Sequence, residues 1–359
     1  MFTKTHFKKL LLGVLAIVMV VSQVTPAYEA YAATTVKQIA STGSARGTAA
    51  TNFIEPCGIA YSATGNAIYV AVTNKTASNP EKDKNGNVIK GDDRYPVKKN
   101  KKQLKIYKYK IKNNKYTKVA CKTLPVKFYH PNDLTTDGKY LYIADCTNKI
   151  YRYTISDIFN SSNTKSIKKT TFTLSADEQS KDFPKDPRSI RGISYAGSHK
   201  TLIISLHKET DEGKIVYYYV KFDGKKNILK QDSFTLEVPS TGKTGAKYFQ
   251  SGICYDYDNN KLYTSMCRKQ SEKDENKTVW KADKVSFLMT LNVEINDGKI
   301  SKKADTKANY KFVSPHSEAS TFECESIAIK TNTNQILTVA RCKCKDKKNH
   351  AALYKLKLD

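Results

Sequence analysis

Two histidines, a close pair of glutamates and a scatter of arginines are the residues in this chain best suited to chemistry. His130 and His207 can each act as a general base, Glu323 or Glu325 as the matching acid, and Arg191 as a clamp on an anion. Asn132, Asp145, Arg188, Gln250, Arg268 and Arg341 could complete a polar site by holding a ligand. None of them sits in a compact motif. There is no G-x-S-x-G and no H-E-x-x-H. Thr241-Gly242-Lys243-Thr244 ends like a phosphate loop but lacks the earlier glycine, with Glu237 in its place. Asp83 to Asn87 lacks the ligand spacing of a calcium loop. If these residues form a site, the fold must gather them.

The elements that could do so repeat. CGIAYSATGNAIYVAVT from Cys57, NDLTTDGKYLYIADC from Asn132 and RGISYAGSHKTLIISLH from Arg191 align with one another. SGICYDYDNNKLYTSMC from Ser251 and ESIAIKTNTNQILTVARC from Glu325 complete the set. Each opens on a short strand with Ile59, Leu134, Ile193, Ile253 or Ile327 at one fixed place. Gly58, Asp133, Gly192, Gly252 or Ser326 stands just before it. A Gly/Asn/Asp/Ser turn and a second apolar strand follow. A third strand alternates aromatic and polar residues, as in IYRYTI at 150–155 and VYYYVKF at 216–222, which predicts half-exposed strands. A weaker fourth strand separates the units.

This pattern predicts an all-β fold, a single β-propeller of five four-stranded blades. The last unit runs out of chain at Asp359. TTVKQIAST from Thr34 supplies its missing strand, closing the ring and covering two sheet edges. In such a ring the start of each first strand and the end of each second strand lie at one mouth of the central channel. Glu55, His130, Asn132, Arg188, Arg191, Gln250, Glu323 and Glu325 fall before first strands. Asp145, His207, Arg268 and Arg341 fall after second strands, so the mouth is the predicted site.

Cys146, Cys267 and Cys342 share one repeat position with His207, and both residue types ligate zinc. Fivefold-related positions are too widely spaced around a channel for one ion, so neither a metal nor a cofactor is expected. A pairing of Cys57 with Cys324, Cys342 or Cys344 across neighbouring blades is the expected disulfide. Two long connections, 74–102 and 268–285, should rise on the mouth face.

Residues 1–32 read as a signal peptide. Lys4, Lys8 and Lys9 precede an apolar run from Leu10 to Val21, and Ala30-Tyr31-Ala32 fits a peptidase site. Residues 33–359 are then the propeller, exported and soluble, with no transmembrane segment and as a monomer. The chain carries 61 Lys and Arg against 34 Asp and Glu, a net charge of +27. Such an excess attracts polyanions. Lys98, Lys99, Lys101 and Lys102, beside the lysines that follow Arg341, predict a basic lobe near the mouth.

HSEASTFECESIAIKTNTNQILTVARC, from His316 to Cys342, resembles the closing segment of the helveticin J family of large secreted bacteriocin-like proteins. GICYDYDNNKLYTSM from Gly252 is similar to the preceding family repeat. The resemblance covers about the last third of the chain and implies antibacterial or cell-envelope binding activity. The expected function is therefore binding of anionic cell-wall polymers or glycans, without specific nucleic-acid recognition. The alternative is a hydrolase, lyase or lactonase at the channel mouth.

Overall fold

In the computed structural model the described residues are 32–45, 53–75, 102–128, 130–174, 190–197, 201–207, 214–238, 246–274, 277–303, 309–315, 319–330, 333, 335–344 and 349–358. They are nearly all β. After β1 (Ala32–Ala45), the chain forms β2 (Phe53–Tyr61), β3 (Ala67–Lys75), β4 (Lys102–Lys112) and β5 (Lys115–Phe128). Next come β6 (Pro131–Thr136), β7 (Tyr140–Asp145), β8 (Lys149–Thr154) and β9 (Lys169–Leu174). A short helix α1 (Ile155–Asn160) and a 3₁₀ turn at Thr164–Ser166 lie between β8 and β9. The third group is β10 (Ile190–Tyr195), β11 (Thr201–His207), β12 (Lys214–Phe222) and β13 (Asn227–Glu237). The fourth is β14 (Ala246–Asp256), β15 (Lys261–Asp274), β16 (Lys277–Asn296), β17 (Lys299–Lys303) and β18 (Asn309–Val313). The last is β19 (Ala319–Ile329), β20 (Gln335–Cys344) and β21 (Asn349–Leu358).

Within each group the strands pair antiparallel as an up-and-down meander, with β17 and β18 both pairing with β16 in the fourth. The last group is completed by β1, which runs antiparallel to β21 from Thr34↔Leu358 to Ala45↔Asn349. Short parallel bridges join outer strands of adjacent groups, β13 with β9 and β1 with β18. The first strands touch in a cycle: β2 meets β6, β6 meets β10, β10 meets β14, β14 meets β19, and β19 returns to β2. This is a β-propeller-like arrangement.

The core lies between the meanders. Tyr142, Ile150 and Phe172 pack against Leu202, Ile204 and Tyr218. The alternate residues of those same strands, Ile203, Tyr217 and Tyr219, face Leu262, Phe287 and Met289. Leu104 and Ile106 meet Leu141 and Tyr153. Phe322 and Tyr354 meet Leu288 and Phe312, and Val70 and Tyr107 meet Leu337 and Val339. β12 is thus buried on both faces, so the expectation of half-exposed third strands fails there. Val216 to Val220 is buried throughout because each face has a meander against it.

Three further differences concern local structure. Helix α1 interrupts the step from β8 to β9 and seats Ile158 in the core between the first two meanders. The 268–285 segment is largely a ladder, since β15 and β16 stay paired from Lys269↔Ala282 to Asp274↔Lys277. Among the described residues the expected disulfide of Cys57 with Cys324 or Cys342 does not form. Cys57, Cys324 and Cys342 are buried and are not joined to one another by a disulfide, and the Cys57 thiol donates to the Ala71 carbonyl at 3.3 Å. The side chain of Cys344 and most of the 74–102 connection lie outside the described residues.

Candidate functional site

Strands that converge on an axis splay apart, so their inward N–H groups cannot all find partners on a neighbouring strand. Side chains must accept them. Every first strand carries a β-bulge at the same place, between Pro56 and Gly58, Pro131 and Asp133, Ile190 and Gly192, Gln250 and Gly252, and Cys324 and Ser326. A bulge re-aims its residue. Below the bulges the chain presents Gly58, Asp133, Gly192, Gly252 and Ser326, and here the acceptor is Asp133.

The Asp133 carboxylate is 1 % exposed. Its Oδ2 accepts the N–H groups of Ile193 at 2.9 Å and Ile253 at 3.0 Å. Its Oδ1 accepts the Leu134 N–H at 2.9 Å and the Ser326 hydroxyl at 2.5 Å. Ser326 Oγ in turn accepts the Ile59 N–H at 3.2 Å. The glycines make room: a Cβ on Gly252 would lie 3.3 Å from both Asp133 oxygens and 2.9 Å from Ser326 Cα. One layer further along, Thr135, Ser194 and Cys254 accept the N–H groups of Tyr195, Tyr255 and Ile329. Burial pushes the Asp133 carboxyl up to about 7, against the pull of its hydrogen-bond donors.

The bulge layer, Cys57, Asn132, Arg191, Ser251 and Glu325, lies nearer the mouth. Asn132 Nδ2 donates to the carbonyls of Arg191 and Ser251, tying three first strands together. Half-buried Arg191 thus takes part through its backbone.

Above the bulges lies the densest charge among the described residues. Arg341 at the end of β20 binds Glu323, reaches Glu55 Oε1 at 3.1 Å, and places its Nε 3.8 Å from Glu325. Lys269 Nζ is 3.6 Å from Glu323. Burial works against the charge of Glu323, but Arg341 and Lys269 outweigh it and hold the carboxyl below its usual range. Burial dominates at Glu325, where Glu323 and Glu55 add repulsion, and its pKa is raised. Burial also opposes the charges of Arg341 and Lys269, and the surrounding anionic groups raise both. Beside this cluster the Cys267 thiol is pushed up to about 12, chiefly by burial, so it is no thiolate nucleophile at neutral pH.

The other predicted residues are distributed as follows. Asp145 is fully buried and its Oδ1 accepts the His130 backbone N–H at 2.6 Å, which orders the start of β6. The half-buried His130 is held there also by its carbonyl, which accepts the Cys146 N–H at 2.8 Å. Arg268 is clamped on Asp283 through Nε at 2.9 Å and Nη2 at 2.5 Å. Gln250 is buried at the β14 bulge. His207 ends β11 opposite Ile215, and Lys102 opens β4 opposite Phe128. The side chains of these two, and Arg188, Lys98, Lys99 and Lys101 altogether, lie outside the described residues.

The sequence reading missed Lys269 as a member of the cluster and Asp133 as its floor. Asp133 had a signal: it is the one acid among the residues preceding the fixed Ile or Leu. Among the described residues no group of three or more His, Cys, Asp or Glu side chains is arranged to hold a metal ion.

No family model matches the chain, and no curated protein matches it. Among solved structures, that of U3-55K is 10% identical with a TM-score of 0.34, over 84% of this chain and 80% of that one. A 6-phosphogluconolactonase, itself so named only provisionally, from Bacteroides uniformis is 6% identical with a TM-score of 0.33, over 81% of each chain. One from Bacteroides fragilis is 11% identical with a TM-score of 0.32, over 80% and 79%. These loose likenesses say nothing about what this chain binds or turns over. No helix of the described residues is long and apolar enough to cross a membrane.

Proposed function

We propose that this chain is an exported, cationic, five-bladed propeller whose last blade is closed by β1, and that it binds anionic polymers of the cell envelope. Residues 1–32 act as the signal peptide, and the mature monomer works outside the cell, in the manner of a helveticin-like bacteriocin. The observation that carries this reading is that the carboxylates described at the mouth are engaged by protein groups. Glu55, Glu323 and Glu325 surround Arg341, Lys269 lies on Glu323, Arg268 on Asp283, and Asp145 on a backbone N–H. The large positive excess is therefore carried elsewhere, on surfaces suited to long-range attraction more than to a shaped small-molecule site.

The test is binding of the purified chain to Gram-positive walls, with and without teichoic acid, across a salt series. Teichoic-dependent binding that weakens steeply with salt is the expected outcome. Absent or salt-independent binding would overturn the reading.

One observation favours a second reading, a hydrolase, lyase or lactonase at the mouth. Glu323 and Glu325 face the same Arg341, yet their pKa values are driven apart, the relation expected of an acid and a base. Turnover on a panel of esters, lactones and glycans that disappears in Glu325→Gln, with unchanged folding, would establish it.

A further inference from the structure

The excess charge is unevenly distributed. From Lys102 to Phe128 the chain has nine lysines, no arginine and no Asp or Glu. The acid-free stretch runs from Arg94 to Asn132. β4 and β5 fold it into one hairpin, with β5 at the end of its sheet. The turn is Asn113-Asn114, both at positive φ (50° and 57°), a conformation these residues tolerate and that suits a tight hairpin.

Lys110, Lys112, Lys115 and Lys118 are exposed, and Lys105, Lys108 and Lys122 are half-buried. Among the described residues none of these seven makes an ion pair. Two are steadied by rings, Lys118 over Tyr107 at 5.6 Å and Lys108 over Phe159 at 5.5 Å. Lys122 Nζ donates to the Ser161 carbonyl at 3.0 Å. The 3₁₀ turn packs on β5 and adds exposed Lys165, with exposed Lys168 and Lys169 just beyond. Lys112 and Lys115 stand directly opposite each other, a like-charge pair that destabilises a hairpin. Edge lysines that discourage aggregation need no such arrangement, and β4 is an interior strand.

We infer that the β4–β5 hairpin, with the lysines of the adjoining 3₁₀ turn, is the docking surface for a linear phosphodiester polymer that lacks bases. This rests on the envelope-polymer reading above and gives it a place. Lysine offers compact point charges without the forked geometry that arginine would bring to a particular anion. An eleven-residue strand such as β4 lays them out over roughly 35 Å, a track that suits a chain. Tyr107 and Tyr109 are buried, so the surface lacks their rings as a stacking platform for bases.

The experiment compares three proteins as full chains. One is the native chain, the second K110S/K112S/K115S/K118S, and the third K221S/K225S/K261S/K299S, which removes the same charge from exposed lysines elsewhere. Binding to poly(glycerol phosphate) and to a single-stranded oligonucleotide is measured from 50 to 300 mM salt. The hairpin variant should lose about tenfold or more in affinity at 0.1 M salt. Its log–log salt slope should fall by about three, about 0.7 for each of the four lysine–phosphate pairings removed. The control variant should change less than about threefold, as charge outside the Debye length is screened. Equal losses in the two variants would mean that only net charge matters and would overturn the placement. Tighter binding to the oligonucleotide, phosphate for phosphate, would overturn the choice of polymer. No binding by the native chain would remove the envelope reading itself, a result distinct from either. The half-variants K110S/K112S and K115S/K118S keep the comparison available should the fourfold variant fail to fold, a point checked by circular dichroism.

Discussion

Ser326 donates its hydroxyl to Asp133 Oδ1 at 2.5 Å across 193 positions of sequence. In the same place it accepts the N–H of Ile59. Together the two side chains serve the first strands of all the meanders: β2 through the serine, β6, β10 and β14 through the carboxylate, and β19 through Ser326 itself. A ring of splayed strands has no ladder down its axis, and this pair stands in for one.

Asp133→Ala should therefore be among the most damaging single substitutions in the chain. It leaves three buried N–H groups and a hydroxyl without their acceptor, and each such group costs about 1–3 kcal/mol. Even with partial relaxation, a loss of about 3 kcal/mol or more is expected in urea unfolding followed by tryptophan fluorescence or circular dichroism. Asp133→Asn keeps one acceptor oxygen and should fall between the alanine variant and the native chain.

Much of this arrangement was legible before the structure. The fixed Ile or Leu and the small or polar residue before it define the axis layer, and the turn and strand spacing define the meanders. The strand from Thr34 was placed correctly as the partner of the last meander, β21, because an unpaired edge is a definite demand that a sequence can show. The bulges were not legible, since an extra residue in one strand shows only against its partner. The pairing of Arg341 with Glu55 could not be read either, because 286 positions separate them and only ring closure brings them together. The double-sided burial of Val216 to Val220 was misread because tyrosine passes for a half-exposed residue when its neighbours are unknown.

The same carboxyl should leave a mark on the pH dependence of stability. Burial raises its folded pKa to about 7, whereas an unfolded Asp titrates near 3.9. Between about pH 4 and pH 7 the unfolded chain has released this proton and the folded chain still holds it. Stability from this group is thus complete below about pH 4 and is lost as pH rises towards 7. Asp133→Asn cannot titrate there. The stability gap between the native chain and that variant should accordingly narrow from pH 5 to pH 7.5, as measured by urea midpoints. A gap that stays constant over that range would mean that the four donors keep the carboxylate ionised in the folded state.

The glycines of the axis layer are required by space. A Cβ on Gly58 would meet Leu134 Cβ at 2.5 Å and the Leu134 backbone nitrogen at 3.0 Å. Gly58→Ala should lower stability by about 1–3 kcal/mol, the usual cost of overpacking a tight core. Gly224 has nothing within 4 Å of the same position. Gly224→Ala should leave the melting temperature within about a degree or two of the native value, which makes it the matched control.

Arg341 is the residue on which the mouth depends electrostatically. It lies between three carboxylates from two strands, β2 and β19, and Lys269 assists, with its closest contact at Glu323. Arg341→Met keeps much of the side-chain volume and removes the charge. Breaking a buried ion pair in this way costs about 3–5 kcal/mol, because the partner charges stay behind. Here the stranded groups are acids and can take up protons instead, so their pKa values rise and the loss should be smaller at pH 5 than at pH 8. Glu323→Gln placed in the Arg341→Met background should recover part of the stability at pH 8, since it removes one stranded charge. Equal losses at the two pH values, with no recovery in the double variant, would show that Arg341 acts by packing its stem and not by its charge. The mouth would then be held together by shape, and its carboxylates would be open to a ligand's cation.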